Sequence, residues 1–120
     1  MESRKLLKSG EFLVSSTEAA DVFIPEEFSE EQKMIAQTCS DFLETEVMPR
    51  MNDLEKCDRV LMKNILRKSG ELGMMGISIP EEYGGFGQDF ITQMLVAETT
   101  GAGASFSVAF MAHCGIGTLP

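Results

Sequence analysis

TTGAGASFSVAFMAHCGIGTLP, residues 99–120, contains no Asp, Glu, Lys or Arg, and its only imidazole belongs to His113. Small residues alternate with bulky ones along the whole stretch. An uncharged segment of this length is removed from water, either in a protein core or in a membrane. We therefore predict a buried helix that carries one wall of an apolar pocket, in a chain that looks incomplete.

The first run of apolar residues at helical spacing predicts a helix over residues 29–48. Ser29 and Gln32 match a capping box, and Glu30 places negative charge on the positive end of the helix. Pro49 ends the predicted helix because its ring opposes a helical conformation at the preceding residue. The predicted inward stripe consists of Ile35, Cys39, Phe42, Leu43 and Val47.

A polar connector, residues 52–58, leads to a second predicted helix over 59–72. Asp58 is the expected N-cap and Gly73 the expected C-terminal stop. Its predicted inward stripe consists of Leu61, Ile65, Leu66 and Leu72.

A loop rich in proline and glycine follows at residues 73–88. Gly84, Gly85 and Gly87 surround Phe86 without the lysine or the spacing of a phosphate-binding loop. We therefore predict a tight structural turn with positive φ angles rather than a phosphate cradle.

Two further helices are predicted in the last third of the chain. One spans 89–101, with Asp89 as its cap, and the other spans 105–114, with Ser105 as its cap. In the first of them the expected apolar stripe is formed by Ile91, Met94 and Leu95, continued by Glu98 at a rim position.

Residues 1–27 show no sustained periodicity and are expected to form an N-terminal arm that packs on another surface. The apolar triplets at 12–14 and 22–24 favour short extended pieces. The sequence thus divides into an arm, 1–27, and a helical domain, 28–120. A mitochondrial-type presequence is compatible with Arg4, Leu6, Leu7 and Ser9, but the acidic residues Glu2, Glu11 and Glu18 argue against it.

The overall charge excludes several classes of partner. A net charge of −9 disfavours nucleic acids and anionic membranes, which both require a positive surface. Four basic residues nevertheless cluster on the second predicted helix, and we interpret them as a solvated helix face, with phosphate contact as the alternative. They are Arg59, Lys63, Arg67 and Lys68.

The three cysteines are an odd number without metal-ligand spacing. They match neither a disulfide framework nor a zinc site, so we expect reduced thiols in a cytoplasmic protein with no bound metal.

The order of these elements resembles the N-terminal helical domain of the acyl-CoA dehydrogenases, most closely the bacterial and very-long-chain branch. The resemblance rests on FSEEQKMIAQTCSDFLETEVMPR at 28–50, KSGELGMMGISIPEEYGGFGQD at 68–89 and SFSVAFMAHCGIGTLP at 105–120. It implies an all-α fold, an orthogonal or up-down bundle of about four helices with long loops.

The resemblance also implies a function for the parent protein. Acyl-CoA dehydrogenases are flavoproteins of fatty-acid β-oxidation: a glutamate removes the α-proton of an acyl-CoA thioester, and the β-hydrogen passes to FAD as hydride. Electron-transferring flavoprotein then takes the electrons, and a homo-oligomer is implied. The family's flavin site, CoA-binding arginines and catalytic glutamate lie beyond position 120, so we assign no catalytic and no cofactor-binding residue here.

What the resemblance does carry over is part of the acyl-chain pocket. In the family the last of these helices forms one pocket wall, and its depth-setting positions correspond here to Ser107 and Met111, with Val108 and Gly115 beside them. Small side chains lengthen such a slot, so medium to long acyl chains are expected. The competing interpretation is that all four residues only pack in the core, which is also the default expectation for His113.

Two hypotheses of other classes remain open. The chain could be a non-catalytic helical interaction module derived from the same fold, which keeps its apolar face for a partner. Residues 99–120 could alternatively span a membrane, but they are rich in Gly, Ala and Ser, and no cation anchors their ends.

Overall fold

The computed structural model describes Leu7 and residues 10–118, and these are all-α, as predicted. Four helices of ten to thirteen residues are joined by a short fifth one and by single helical turns. In chain order they are α1 (Glu30–Phe42), α2 (Met51–Glu55), α3 (Arg59–Glu71), α4 (Phe90–Thr100) and α5 (Ser105–Cys114). The chain divides into two compact units, one ending at Glu30 and one beginning at Glu31.

The described residues of the N-terminal unit form short 3-10 turns rather than strands. The predicted extended piece at 12–14 was wrong, because Glu11–Leu13 form a 3-10 turn that begins at Gly10. Val22 and Ile24 do have extended backbones. The ring of Phe23, between them, lies 5.4 Å from the ring of Phe28. The basic residues of the presequence alternative lie outside the described residues.

The chain does not leave the helical conformation at Pro49, contrary to prediction. A π-helical turn, Leu43–Val47, continues α1, and a 3-10 turn, Met48–Arg50, then leads directly into α2. Pro49 lies at the start of the 3-10 turn, and the Arg50 guanidinium donates to the carbonyl oxygens of Thr45 and Glu46 in the preceding turn. The predicted polar connector is therefore largely helix α2.

One apolar core joins all five helices of the second unit, and the inward stripe predicted for α1 is confirmed. In α3, Ile65 is buried and Leu61 and Leu66 are partly buried, but Leu72 is 56% exposed, so the stripe ends before it. The buried apolar side chains are Cys39, Phe42, Leu43, Val47, Leu54, Ile65, Met74, Ile77, Val96, Phe106 and Phe110.

The buried face of α4 differs from the prediction. It consists of Thr92, Val96 and Thr100, whereas Met94 is 42% exposed. Periodicity alone missed this face because two of its three members are polar residues. Their hydroxyls are satisfied locally: Thr100 donates to the Val96 carbonyl oxygen, and Thr92 donates to Asp89. A threonine whose hydroxyl is bonded in this way can be buried at little cost.

The glycine-rich loop is the predicted tight turn. Gly84 and Gly87 have positive φ angles of 85° and 59°. The backbone N–H groups of Gly84, Gly85 and Gly87 all donate to carbonyl oxygens of the same loop. They are therefore engaged within the turn and do not form a phosphate cradle.

Asp89 caps α4 as predicted, and it should stabilise the domain in a pH-dependent way. Its Oδ1 atom accepts hydrogen bonds from the hydroxyl and the backbone N–H of Thr92, at 2.7 and 2.8 Å, and these bonds lower its pKa. Asp89→Ala should cost about 1 kcal/mol in urea unfolding at neutral pH, whereas Asp89→Asn, which keeps an acceptor, should cost only a few tenths.

The sign of the pH effect follows from the lowered pKa. The contribution of the carboxylate is complete above the unfolded-state pKa of about 4, and it is lost as the pH falls through the lower folded-state value. The difference in unfolding free energy between the native chain and Asp89→Ala should therefore shrink in acid. An unchanged difference at low pH would contradict the assignment.

Candidate site on helix α5

Helix α5 begins at Ser105. The prediction that Ser105 is its N-cap was wrong. The N-cap position belongs to Ala104, which has φ 48° and ψ −119° and makes no side-chain cap. Instead, the carboxylate of Glu55, the last residue of α2, accepts a hydrogen bond from the Ser105 backbone N–H at 3.0 Å. The sequence could not indicate this contact, because the two residues are separated by 50 positions.

One face of α5 is packed into the core. Phe106 and Phe110 are almost completely buried, with 0% and 1% exposure. Their rings stack with centroids 5.6 Å apart, and the ring of Phe42 on α1 lies 5.9 Å from that of Phe106. This aromatic cluster sets the orientation of α5 on the domain.

The four residues predicted to line an acyl pocket occupy different parts of α5. Ser107 is part-buried, and its hydroxyl donates to the Thr100 carbonyl oxygen. Met111 packs against the core, and Gly115 ends the helix. Val108 alone points outward, with 73% of its side chain exposed.

Val108 belongs to an apolar stripe that the described residues leave uncovered. Ala112, four residues further on, is exposed, and Ile116 beyond the helix end is 82% exposed. The prediction that this stretch is removed from water was therefore wrong for these three residues, because a helix that packs against one partner buries only one side. We call Val108, Ala112 and Ile116 the open face. Spacing alone did not single out this face, because α5 is apolar on all sides and Ile116 lies beyond its end at Cys114.

His113 is exposed, so the prediction of a core imidazole was also wrong. The next residue, Cys114, packs on the core in place of His113. The exposed His113 side chain lies beside α3. It lines a groove of about 830 Å³ together with Ser105, three of the four clustered basic side chains and an apolar floor. The basic three are Arg59, Lys63 and Arg67.

The cysteines of the chain offer no reactive thiolate on α5. All three cysteines are free thiols. Burial raises the pKa of the Cys114 thiol to about 11, so it is protonated at neutral pH and is a poor nucleophile. No group of side chains that could hold a metal ion occurs among residues 10–118 or at Leu7.

No helix in the described part of the chain has the length and apolar character needed to cross a membrane. The uncharged segment is itself divided by the bend at Ala104, and its helix α5 is ten residues long.

Comparison with known proteins identifies the family. Residues 29–120 match the model of the acyl-CoA dehydrogenase N-terminal domain. The chain belongs to the acyl-CoA dehydrogenase family. A probable acyl-CoA dehydrogenase of Bacillus subtilis is 42% identical over 94% of this chain. A mitochondrial short-chain specific acyl-CoA dehydrogenase of Rattus norvegicus is 32% identical over 71% of it.

The fold of this acyl-CoA dehydrogenase domain is also that of a solved relative. The crystal structure of an acyl-CoA dehydrogenase from Bacillus anthracis, complexed with FAD, superposes with a TM-score of 0.85 over 92% of this chain at 42% identity. The chain spans 19% of the Bacillus subtilis relative, 20% of the Rattus norvegicus relative and 19% of the solved structure. It thus corresponds to the N-terminal domain of a much longer enzyme.

Proposed function

We propose that this chain is the N-terminal domain of an FAD-dependent acyl-CoA dehydrogenase, and that the open face of α5 forms part of the wall against which the acyl chain lies. The proposal rests on one observation: α5 leaves an apolar stripe exposed, while its opposite face packs into the core. Burying apolar surface is favourable, and a fatty tail is apolar along its whole length.

The predicted pocket residues have separate roles in this proposal. Val108 contacts the acyl chain directly, together with Ala112 and Ile116. Ser107 and Met111 shape the same wall from the domain side, and Gly115 ends it. The small side chains leave room for medium to long acyl chains, because a packed wall offers only the volume that its side chains do not fill.

We propose that FAD is a cofactor of the whole enzyme and that it does not bind to the open face. Its pyrophosphate requires cationic or backbone N–H donors, and the open face consists of three apolar side chains. Throughout the described residues, every fully buried polar side-chain atom has a hydrogen-bond partner. We therefore place the flavin against other residues, and we derive no chemical step from this domain.

The parent enzyme is proposed to oxidise acyl-CoA thioesters in fatty-acid β-oxidation, to pass electrons to electron-transferring flavoprotein, and to act as a homo-oligomer. Family membership supports these three assignments. A cytoplasmic location is supported by the free thiols, since a reducing compartment keeps cysteines unpaired.

A chimeric enzyme tests whether the open face contacts the acyl chain. Residues 29–120 replace the aligned segment of the Bacillus anthracis enzyme, and kcat/KM is measured with butanoyl-CoA and palmitoyl-CoA using an artificial electron acceptor. Val108→Phe should lower kcat/KM for palmitoyl-CoA about tenfold or more, because the larger side chain shortens the slot, and should change butanoyl-CoA less than about threefold.

Val60→Phe is the matched control, because Val60 is 72% exposed on a different helix, α3. It should leave the ratio of the two kcat/KM values unchanged. If the two variants behave alike on both substrates, the open face does not touch the acyl chain. That result would favour the alternative of an interaction module that keeps an apolar face for a protein partner.

A further inference from the structure

A single carboxylate links the end of α2 to the start of α5. The Glu55 carboxylate accepts a hydrogen bond from the backbone N–H of Ser105 at 3.0 Å. This bond, and then the neighbouring Ser105 hydroxyl, lower the pKa of Glu55 below its usual value. Glu55 is therefore ionised at neutral pH.

The start of α5 needs an acceptor from elsewhere in the fold. The first amides of a helix have no intrahelical partner, and the alanine at the N-cap position offers no side-chain oxygen. Ala104 also has a positive φ of 48°, a conformation that is unfavourable for a residue with a Cβ atom and persists only when its surroundings hold it. Glu55 satisfies the Ser105 amide and places negative charge at the positive end of the helix dipole.

We propose that Glu55 is a positioning residue: by accepting the hydrogen bond from the Ser105 backbone N–H, it sets the position of the first turn of α5 and so the position of Val108 in the acyl-chain wall. Ser105 and Val108 are neighbours on successive turns of one helix, so a shift of the first is passed to the second. This inference rests on the proposed function of the open face. It assigns a role in substrate binding to a residue of α2, Glu55, that is far in sequence from the open face.

The contact itself is tested by amide hydrogen exchange of the whole chain, followed residue by residue by NMR. Glu55→Ala should make the Ser105 amide exchange roughly threefold to tenfold faster, as expected for loss of one hydrogen bond to a charged group. Glu55→Gln keeps an acceptor oxygen and should stay within about twofold of the native rate. Asp53→Ala removes the same charge from α2, where Asp53 pairs only with Lys56 among the ion pairs described, and should leave the rate unchanged.

The effect on substrate is tested in the chimera with the same variants. Glu55→Ala should change the ratio of kcat/KM for palmitoyl-CoA to that for butanoyl-CoA by about threefold or more, because displacement of the wall alters fit along the tail. Glu55→Gln should restore most of the native ratio, and Asp53→Ala should not change it. A role confined to stability would lower both values together and leave the ratio intact.

The outcomes separate the two proposals. An unsubstituted chimera without acyl-CoA dehydrogenase activity would overturn the proposed function. An active chimera whose substrate ratio is the same in Glu55→Ala and Asp53→Ala would overturn the positioning role alone. Equal exchange rates of the Ser105 amide in those two variants would overturn the hydrogen bond on which that role depends.

Discussion

Replacing Gly85 with alanine should destabilise the domain by about 3 kcal/mol or more. A Cβ atom on Gly85 would lie 2.1 Å from the carbonyl oxygen of Ile79 and 2.4 Å from its Cβ atom. The neighbouring atoms are mainly backbone, so no rotamer change relieves the clash. The loop can relax only by breaking its own hydrogen bonds, such as that from the Gly87 N–H to the Ile79 carbonyl oxygen at 2.8 Å.

The effect is measured as the free energy of unfolding in urea, with Gly101→Ala as the matched control. Gly101 has helical backbone angles, and a Cβ atom there would meet nothing within 4 Å. Gly101→Ala should therefore be neutral or stabilising by up to about 1 kcal/mol, since alanine restricts the unfolded chain. Similar unfolding free energies for the two variants would contradict the close approach at Gly85.

Replacing Phe106 with alanine should cost about 3–5 kcal/mol of unfolding free energy. The side chain is completely buried between the rings of Phe42 and Phe110, so its removal leaves a cavity that helices on both sides must share. Because small domains are stable by only about 5–15 kcal/mol, this loss would remove a large part of the total. Phe106→Leu, which keeps most of the volume, should cost roughly 1 kcal/mol.

Phe90→Ala is the control for this prediction. Phe90 is 70% exposed at the start of α4, so its removal should change the unfolding free energy by less than about 0.5 kcal/mol. A comparable loss in Phe90→Ala and Phe106→Ala would show that the aromatic cluster is not the centre of the core. A folded Phe106→Ala variant with native stability would lead to the same conclusion.

Much of the fold could be predicted because its determinants are local. The inward stripe of α1 repeats at helical spacing, and Asp58 and Asp89 cap the helices that follow them, each through bonds to backbone N–H groups two or three residues away. Gly73 likewise has the left-handed conformation expected at a helix end. Such interactions lie within one turn of the chain, so residue type and spacing are sufficient to predict them.

The candidate site was only partly predictable for the converse reason. Apolar composition indicated correctly that α5 has packing surfaces, but which side meets the core depends on the ring of Phe42, far away in sequence. The same holds for Thr92, whose hydroxyl also accepts a hydrogen bond from Gln32 on α1, and for His113, which is exposed and lines the groove beside α3.

By itself, the sequence determined the helices, their principal caps, the tight glycine turn and the family, because each depends on neighbouring residues or on recognisable motifs. Only the tertiary structure decided that the chain continues as helix past Pro49, that Glu55 holds the start of α5, and that Val108 faces outward. Burial and long-range hydrogen bonds depend on how separate helices are placed against one another, and no single stretch of sequence contains that placement.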